Sequence, residues 1–142
     1  MDRSNTEVKI GDYTKEPVAN PKVLVIADET LGGMIVECLR PQDYDVIRME
    51  SYGRYDHIIE AVRKDKLSLA ILTNNTMNPP MTLELLAIIR TMETSLTVLV
   101  LSGFVDFAFA KRLNQLGAAD LMAMPFDEEE LVATVKRLTT AV

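Results

Sequence analysis

The side chains with the most reactive chemistry in this sequence stand alone. The single histidine, His57, lies near the start of a helical pattern with no second ligand at metal-site spacing, so it is expected on the solvent side. The single cysteine, Cys38, has no partner for an internal disulfide and sits among apolar residues, where packing is its expected role. Gly32 and Gly33 follow the first apolar run, where a bare backbone would let a phosphate approach. The surrounding segment ADETLGGM matches neither the dinucleotide fingerprint nor the P-loop, so no nucleotide site is expected. The eight methionines are scattered, and four tyrosines without tryptophan offer no stacking platform. These residues call for no metal and no cofactor.

Composition narrows the partners. A net charge of -6 and a pI near 4.8 oppose nucleic acid, whose phosphates demand a surplus of Lys and Arg on one face. No stretch approaches the roughly 18 apolar residues that span a bilayer, and the N-terminal segment MDRSNTEVKIGDYTKEPVANP has no signal-like apolar run. The cytoplasm is the expected compartment. At 142 residues with 48% apolar content the chain suits one domain with one core. Residues 1–21 are polar, contain Pro17 and Pro21, and lack periodicity, which predicts a flexible tail ahead of a domain over 22–142.

Within that domain, short apolar runs alternate with amphipathic segments. The runs are Val23–Ile26, Tyr44–Met49, Leu69–Leu72, Leu96–Leu101 and Asp120–Met124. Between and after them lie helical patterns at Leu31–Leu39, Tyr55–Val62, Leu83–Met92, Val105–Leu116 and Leu131–Leu138. Almost wholly apolar strands such as VLVI and TVLVL need cover on both faces, which a parallel sheet with crossover helices supplies. The expected fold is therefore a doubly wound (βα)5 α/β domain. Gly117 is placed to stop the fourth helix, and Asp127 with Glu130 to cap the fifth. In such folds function gathers where the strands' carboxyl ends meet the loops.

Three segments, in order, carry a family resemblance: KVLVIADE at the first strand, LTVLVLSG at the fourth, and GAADLMAMPFDEEEL from fifth strand to fifth helix. Together they resemble the receiver domain of bacterial two-component response regulators, over residues 22 to about 139. The resemblance implies a flavodoxin-like five-stranded sheet in order 2-1-3-4-5. In working members it also implies magnesium-assisted phosphoryl transfer to an aspartate that ends the third strand, and it raises a cis Met124-Pro125 peptide as one of two isomers.

Carried over residue by residue, the resemblance exposes departures. The family's acidic pair falls on Ala27 and Asp28, so one carboxylate is missing. The phosphoacceptor falls on Thr73 counted from the strand, or on Asn74 counted back from the next helix, and neither is a carboxylate. Ser102 keeps the family's hydroxyl, followed by the small Gly103. Met124 stands where the family carries a lysine, and Leu121 where many members carry a switching aromatic. Asp28 and Ser102 both have structural readings as caps or turn closers. Losing the lysine together with its acidic partners avoids stranding a buried charge, which would cost roughly 3–5 kcal/mol. The expected pocket of Ala27, Asp28, Thr73, Asn74, Ser102 and Met124 is a degenerate one.

The fourth helical pattern, FVDFAFAKRLNQLG, places Val105, Phe109, Leu113 and Leu116 on one stripe and leaves Phe104 and Phe107 over. These two aromatics, with Leu121, are candidates for partner binding; the alternative is that they pack beneath loops. The leading expectation is a phosphorylation-independent interaction module, not an enzyme, acting through the face of fourth helix, fifth strand and fifth helix. Its partner would be a signalling protein or a second copy. With no output domain after Val142, its effect would pass through another protein or a fusion context. Rival readings are phosphorylation at a substitute residue such as Thr73 or Asp28, and a flavodoxin-like small-ligand domain.

Overall fold

Strands that are apolar on both faces must lie between two layers of helix, and the chain builds that sandwich. The computed structural model describes residues 20–50, 55–74, 79–92 and 95–140. The elements run β1 (Lys22–Ile26), α1 (Glu29–Leu39), a 3-10 turn (Arg40–Gln42), β2 (Asp45–Met49), α2 (Tyr55–Lys64) and β3 (Leu69–Asn74). They continue as α3 (Pro79–Met92), β4 (Val98–Ser102), α4 (Phe107–Gln115), β5 (Asp120–Ala123) and α5 (Glu128–Thr140). The strands form one parallel sheet in the order β2-β1-β3-β4-β5, which is the expected 2-1-3-4-5.

Alternation along each strand divides the core into two layers. Val23, Val25, Leu69, Ile71, Leu99 and Leu101 join α1 and α5 residues such as Ile35, Leu39, Leu131 and Val135 on one side. Leu24, Ile26, Ala70, Leu72, Val98 and Val100 meet Ile58, Leu86, Ile89, Phe109 and Leu113 on the other. Cys38 is buried in the first layer, and burial, followed by the charges of Glu128 and Glu37, pushes its thiol pKa above the ordinary value. His57 is exposed, as expected.

Several boundaries differ from the sequence reading. The fourth helix does not begin at Val105: Asp106 takes an extended conformation and its side chain accepts from the Phe109 N–H at 2.8 Å, so the helix opens at Phe107. Val105 thus leaves the expected core stripe and is 48% exposed. Phe104 takes part in that core instead, its ring centroid 6.3 Å from that of Phe109. The third helix starts at Pro79 rather than Leu83, and the fifth at Glu128, where Asp127 accepts from the Glu129 N–H at 2.9 Å. Of the tail expected over 1–21, residues 1–19 lie outside the described residues; Pro21 already belongs to the fold, its carbonyl accepting from Asp45 N–H at 2.9 Å. The Met124-Pro125 peptide is cis. No helix among the described residues is long and apolar enough to cross a membrane.

At the amino end of the sheet, one arginine holds three segments. Arg90, in the last turn of α3, donates to the carbonyls of Leu96 (2.7 Å), Leu116 (3.1 Å) and Gly117 (2.7 Å). Gly117 has φ +83°, and a Cβ there would lie 2.9 Å from the Arg90 Nε. It is therefore both the expected helix stop and the opening through which the guanidinium reaches the backbone. Replacing Arg90 by Ala is expected to lower the unfolding free energy in urea by about 2–3 kcal/mol, since it strands these carbonyls. A loss below about 0.5 kcal/mol would show that water replaces the guanidinium without cost.

Candidate functional site

Parallel strands deliver their last residues to the same edge of the sheet, and here the edge gathers Ala27, Asp28, Thr73, Asn74, Ser102 and Met124. Ala27 follows β1, and its N–H donates to the Met49 carbonyl at 3.0 Å, so the chain stays paired one residue past the strand. Ala27 is buried in the α1–α5 layer. The next residue, Asp28, caps α1: its Oδ1 accepts from the Leu31 N–H at 2.7 Å. That is the helix-cap reading the sequence allowed.

The register of β3 separates the two candidates that counting left open. Thr73 and Asn74 are neighbours on a pleated strand and point to opposite faces. The Thr73 hydroxyl donates to the Ile26 carbonyl at 2.7 Å, tying β3 to the end of β1. Asn74 pairs with Ser102 across the β3–β4 ladder, and its Nδ2 donates to the Ser102 Oγ at 3.3 Å. Asn74 is 5% exposed and Ser102 is 0% exposed, so this contact is shut off from water. Asn74, then, is the residue that shares a buried polar contact with Ser102.

Ser102 is a hub. Its Oγ accepts from the Asn74 amide and from the Phe104 N–H (3.0 Å), and it donates its one proton to the Phe104 carbonyl. A hydroxyl with one donor and two acceptor sites is thereby fully used within the protein. Its backbone carbonyl is also engaged, accepting from Met124 N–H at 2.9 Å, and Gly103 N–H donates to the Asn74 carbonyl at 2.8 Å. Of the two structural roles the sequence offered Ser102, turn closure is the one realised. Phe104 is the member that sequence reasoning left unassigned to this network; an aromatic after Ser-Gly carries no signal for backbone capture by a preceding hydroxyl.

Met124 is half-buried and packs against the α1–α5 layer beside Phe126. Leu121 is half-buried and packs on the layer that contains Phe109 and Leu113, so it offers partial rather than full surface. Phe107, by contrast, is 81% exposed. The two leftover aromatics of the fourth helical pattern therefore split between the two readings offered for them: Phe104 packs against the core and Phe107 stays outside.

Chemically the set is close to neutral. Asp28 is the one ionisable side chain of the six, and no cationic group stands among them. Magnesium binds hard oxygen donors, principally carboxylates; Ala27 supplies none, Asn74 supplies at most a neutral carbonyl, and an Asp28 oxygen caps α1. These residues do not fit a magnesium centre. Among the described residues no group of three or more His, Cys, Asp or Glu is placed to hold a metal ion. A carboxamide at Asn74 also cannot form the acyl phosphate that a carboxylate nucleophile forms.

No protein-family model and no curated protein matches the sequence. Solved structures do match. A response regulator from Thermotoga maritima superposes with a TM-score of 0.75 at 22% identity, over 86% of this chain and 99% of that one. An orphan response regulator of H. pylori gives 0.72 at 22% identity, over 87% and 99% of the two chains. The Vibrio cholerae chemotaxis protein CheY4 gives 0.73 at 20% identity, over 84% and 99%. The chain thus has the fold of response-regulator receiver domains.

Removing the Thr73 hydroxyl isosterically, as Thr73→Val, is expected to cost about 1–2 kcal/mol in urea unfolding, because the Ile26 carbonyl loses a short donor at a half-buried site. No change would mean that the tie between β3 and β1 rests on the ladder alone.

Proposed function

We propose that this chain is a receiver-like protein-interaction module of the two-component type that acts without phosphorylation and without catalysis of its own. Its working surface is the face made by α4, β5 and α5. A signalling protein or a second copy of the chain is its partner. The observation that carries this reading is the buried Asn74–Ser102 contact: an uncharged amide and a saturated hydroxyl occupy the strand ends where the fold's relatives would need a nucleophile and a free hydroxyl. Ala27 and Met124, both packed against one apolar layer, support it further, since neither can hold a cation or a phosphoryl oxygen. The substitute acceptors weighed from the sequence are occupied, Thr73 by the Ile26 carbonyl and Asp28 by the end of α1.

The surface part of the proposal rests on Phe107, an aromatic ring left in water at the start of α4, next to the exposed Val105. Exposed aromatics of this kind serve as anchors at interface centres. Phe104 is no longer a clean probe of that surface, because it packs on Phe109.

Two measurements test the proposal. In an amide NMR titration with magnesium and beryllofluoride, a mimic of the aspartyl phosphate, the resonances of Asp28, Thr73, Asn74 and Ser102 are expected to stay in place. The triple variant Ala27→Asp, Asn74→Asp, Met124→Lys is expected to gain a saturable response. Saturable shifts in the unmodified chain, spreading to α4, would sink phosphorylation independence. Separately, Phe107→Ser is expected to lower affinity for a captured partner by at least about tenfold with an unchanged urea midpoint; equal affinity would remove α4 from the binding surface.

A further inference from the structure

The sheet order leaves β2 outermost, beside β1 and on the side away from β5. Along a parallel ladder the backbone groups of successive residues point alternately to the two sides. The Asp45 N–H donates to the Pro21 carbonyl at 2.9 Å and the Met49 carbonyl accepts from the Ala27 N–H at 3.0 Å, so Asp45, Ile47 and Met49 face β1. The N–H and C=O groups of Val46 and Arg48 therefore face outward, and none of the described residues pairs with them. An edge of this kind is a template for a further strand. Its side chains are set as well. Val46 is buried in the α1–α5 layer, while Ile47 and Met49 are half-buried against the layer that holds Ile58 and Val62 of α2. Arg48 lies along the bare backbone of Gly32, where a Cβ would come 2.5 Å from the Arg48 Cδ, and its guanidinium stands 3.9 Å from the Glu50 carboxylate.

The chain enters β1 through Pro21, which is bonded to Asp45, so residues 1–19, outside the described residues, are tethered at the amino end of β2. Among them Thr6-Glu7-Val8-Lys9-Ile10 alternates β-branched with charged residues and is followed by the turn pair Gly11-Asp12. Five residues of this kind have no stability alone and need an existing edge to form on. We propose that residues 6–10 pair antiparallel with the open edge of β2 as a sixth strand, Glu7 opposite Arg48 and Val8 opposite Ile47. An antiparallel course brings the segment to the amino end of β2, the end at which Pro21 enters the fold. From there residues 11–20 must cross two strand spacings, about 10 Å, which lies well inside the roughly 33 Å that ten residues can span. The tether also holds the segment near the edge at an effective concentration on the order of millimolar.

Charge and pattern select that register. With Glu7 opposite Arg48, Lys9 stands opposite Val46, so both charged residues exchange backbone hydrogen bonds with the two outward-facing residues of β2. Val8 and Ile10 then fall on the side of Ile47 and Met49 and extend their half-buried apolar cover, and Glu7 meets the guanidinium that Gly32 holds at the edge. Sliding the segment two residues toward the carboxyl end of β2 sets Lys9 against Arg48 and Glu7 against Glu50, two like-charge pairs. Sliding it two residues the other way sets Val8 against Asp45 and Ile10 against Asp43. A slip of one residue turns Val8 and Ile10 to the opposite face. The added strand closes an edge that would otherwise pair with a second copy of the chain. It lies across the sheet from β5, so it stands whether or not the face of α4, β5 and α5 binds a partner.

The test is amide hydrogen exchange on the full chain, read at Val46 and Arg48, with the Ile47 amide, which faces β1, as the internal control. In the unmodified chain the Val46 and Arg48 amides are expected to be protected. Lys9→Pro removes the donor to the Val46 carbonyl, and Val8→Asp puts a charge beside Ile47; each is expected to accelerate exchange at Val46 and Arg48 by about tenfold or more while Ile47 is unchanged. Glu7→Lys and Arg48→Glu are each expected to accelerate it by a smaller factor, and the double swap to recover most of the protection. Val46 and Arg48 amides that exchange as freely as those of an open edge in the unmodified chain would overturn the proposal. So would protection that survives Lys9→Pro, or protection that rises with protein concentration, which would give the edge to a second copy. If Arg48→Glu disturbs the Ile47 control, the tail variants Lys9→Pro and Val8→Asp decide alone.

Discussion

A parallel sheet covered on both faces has nowhere to send a polar side chain except past the ends of its strands. In this chain that constraint concentrates the site. The central strands β1, β3 and β4 are apolar from Leu24, Leu69 and Val98 onward, and polarity begins only at Asp28, Thr73 and Ser102. Each polar group that follows is close to low-dielectric surroundings and must find a partner nearby, because an unpaired one is expensive there. The hydrogen bonds of Thr73 to Ile26, Asn74 to Ser102, and Ser102 to Phe104 are that requirement met three times over.

Neutrality follows from the same constraint. A lysine in place of Met124 would bring a charge to a half-buried position against the α1–α5 layer, with no carboxylate at Ala27 or Asn74 to answer it. Apart from Asp28, the strand ends carry amide, hydroxyl, methyl and thioether groups, all of which pack or pair without counter-ions. Hydrogen bonds run from β3 through Ser102 to the segment entering α4.

The fold was legible because its signals are local and redundant. Five apolar runs of strand length, separated by amphipathic segments, leave little choice of class, and Gly117 and Asp127 mark helix ends through backbone chemistry that a sequence displays directly. The failures have equally local causes. Val105 fits the apolar spacing of the fourth helix, but the Asp106 carboxylate captures the Phe109 N–H and starts the helix beyond it, so capping overrides periodicity. Thr73 and Asn74 are adjacent, and a count along the chain does not distinguish them; only the β3–β4 register, a non-local fact, sets Asn74 opposite Ser102. Phe104 and Phe107 look alike as residue types. Their separation into a half-buried and an exposed ring depends on which one precedes the cap.

The Arg90 contacts carry a kinematic meaning. The guanidinium joins the end of α3 to the carbonyls closing α4 and to the entrance of β4. Sliding α4 along its own axis would break those bonds in a single step, so translation of the helix is heavily penalised. Its opposite end is closed by its own Asp106 cap and follows the Phe104 turn that Ser102 ties down. The helix is therefore tethered at its C-terminal end, while Phe107 stands in water on its first turn, at the end farthest from Arg90.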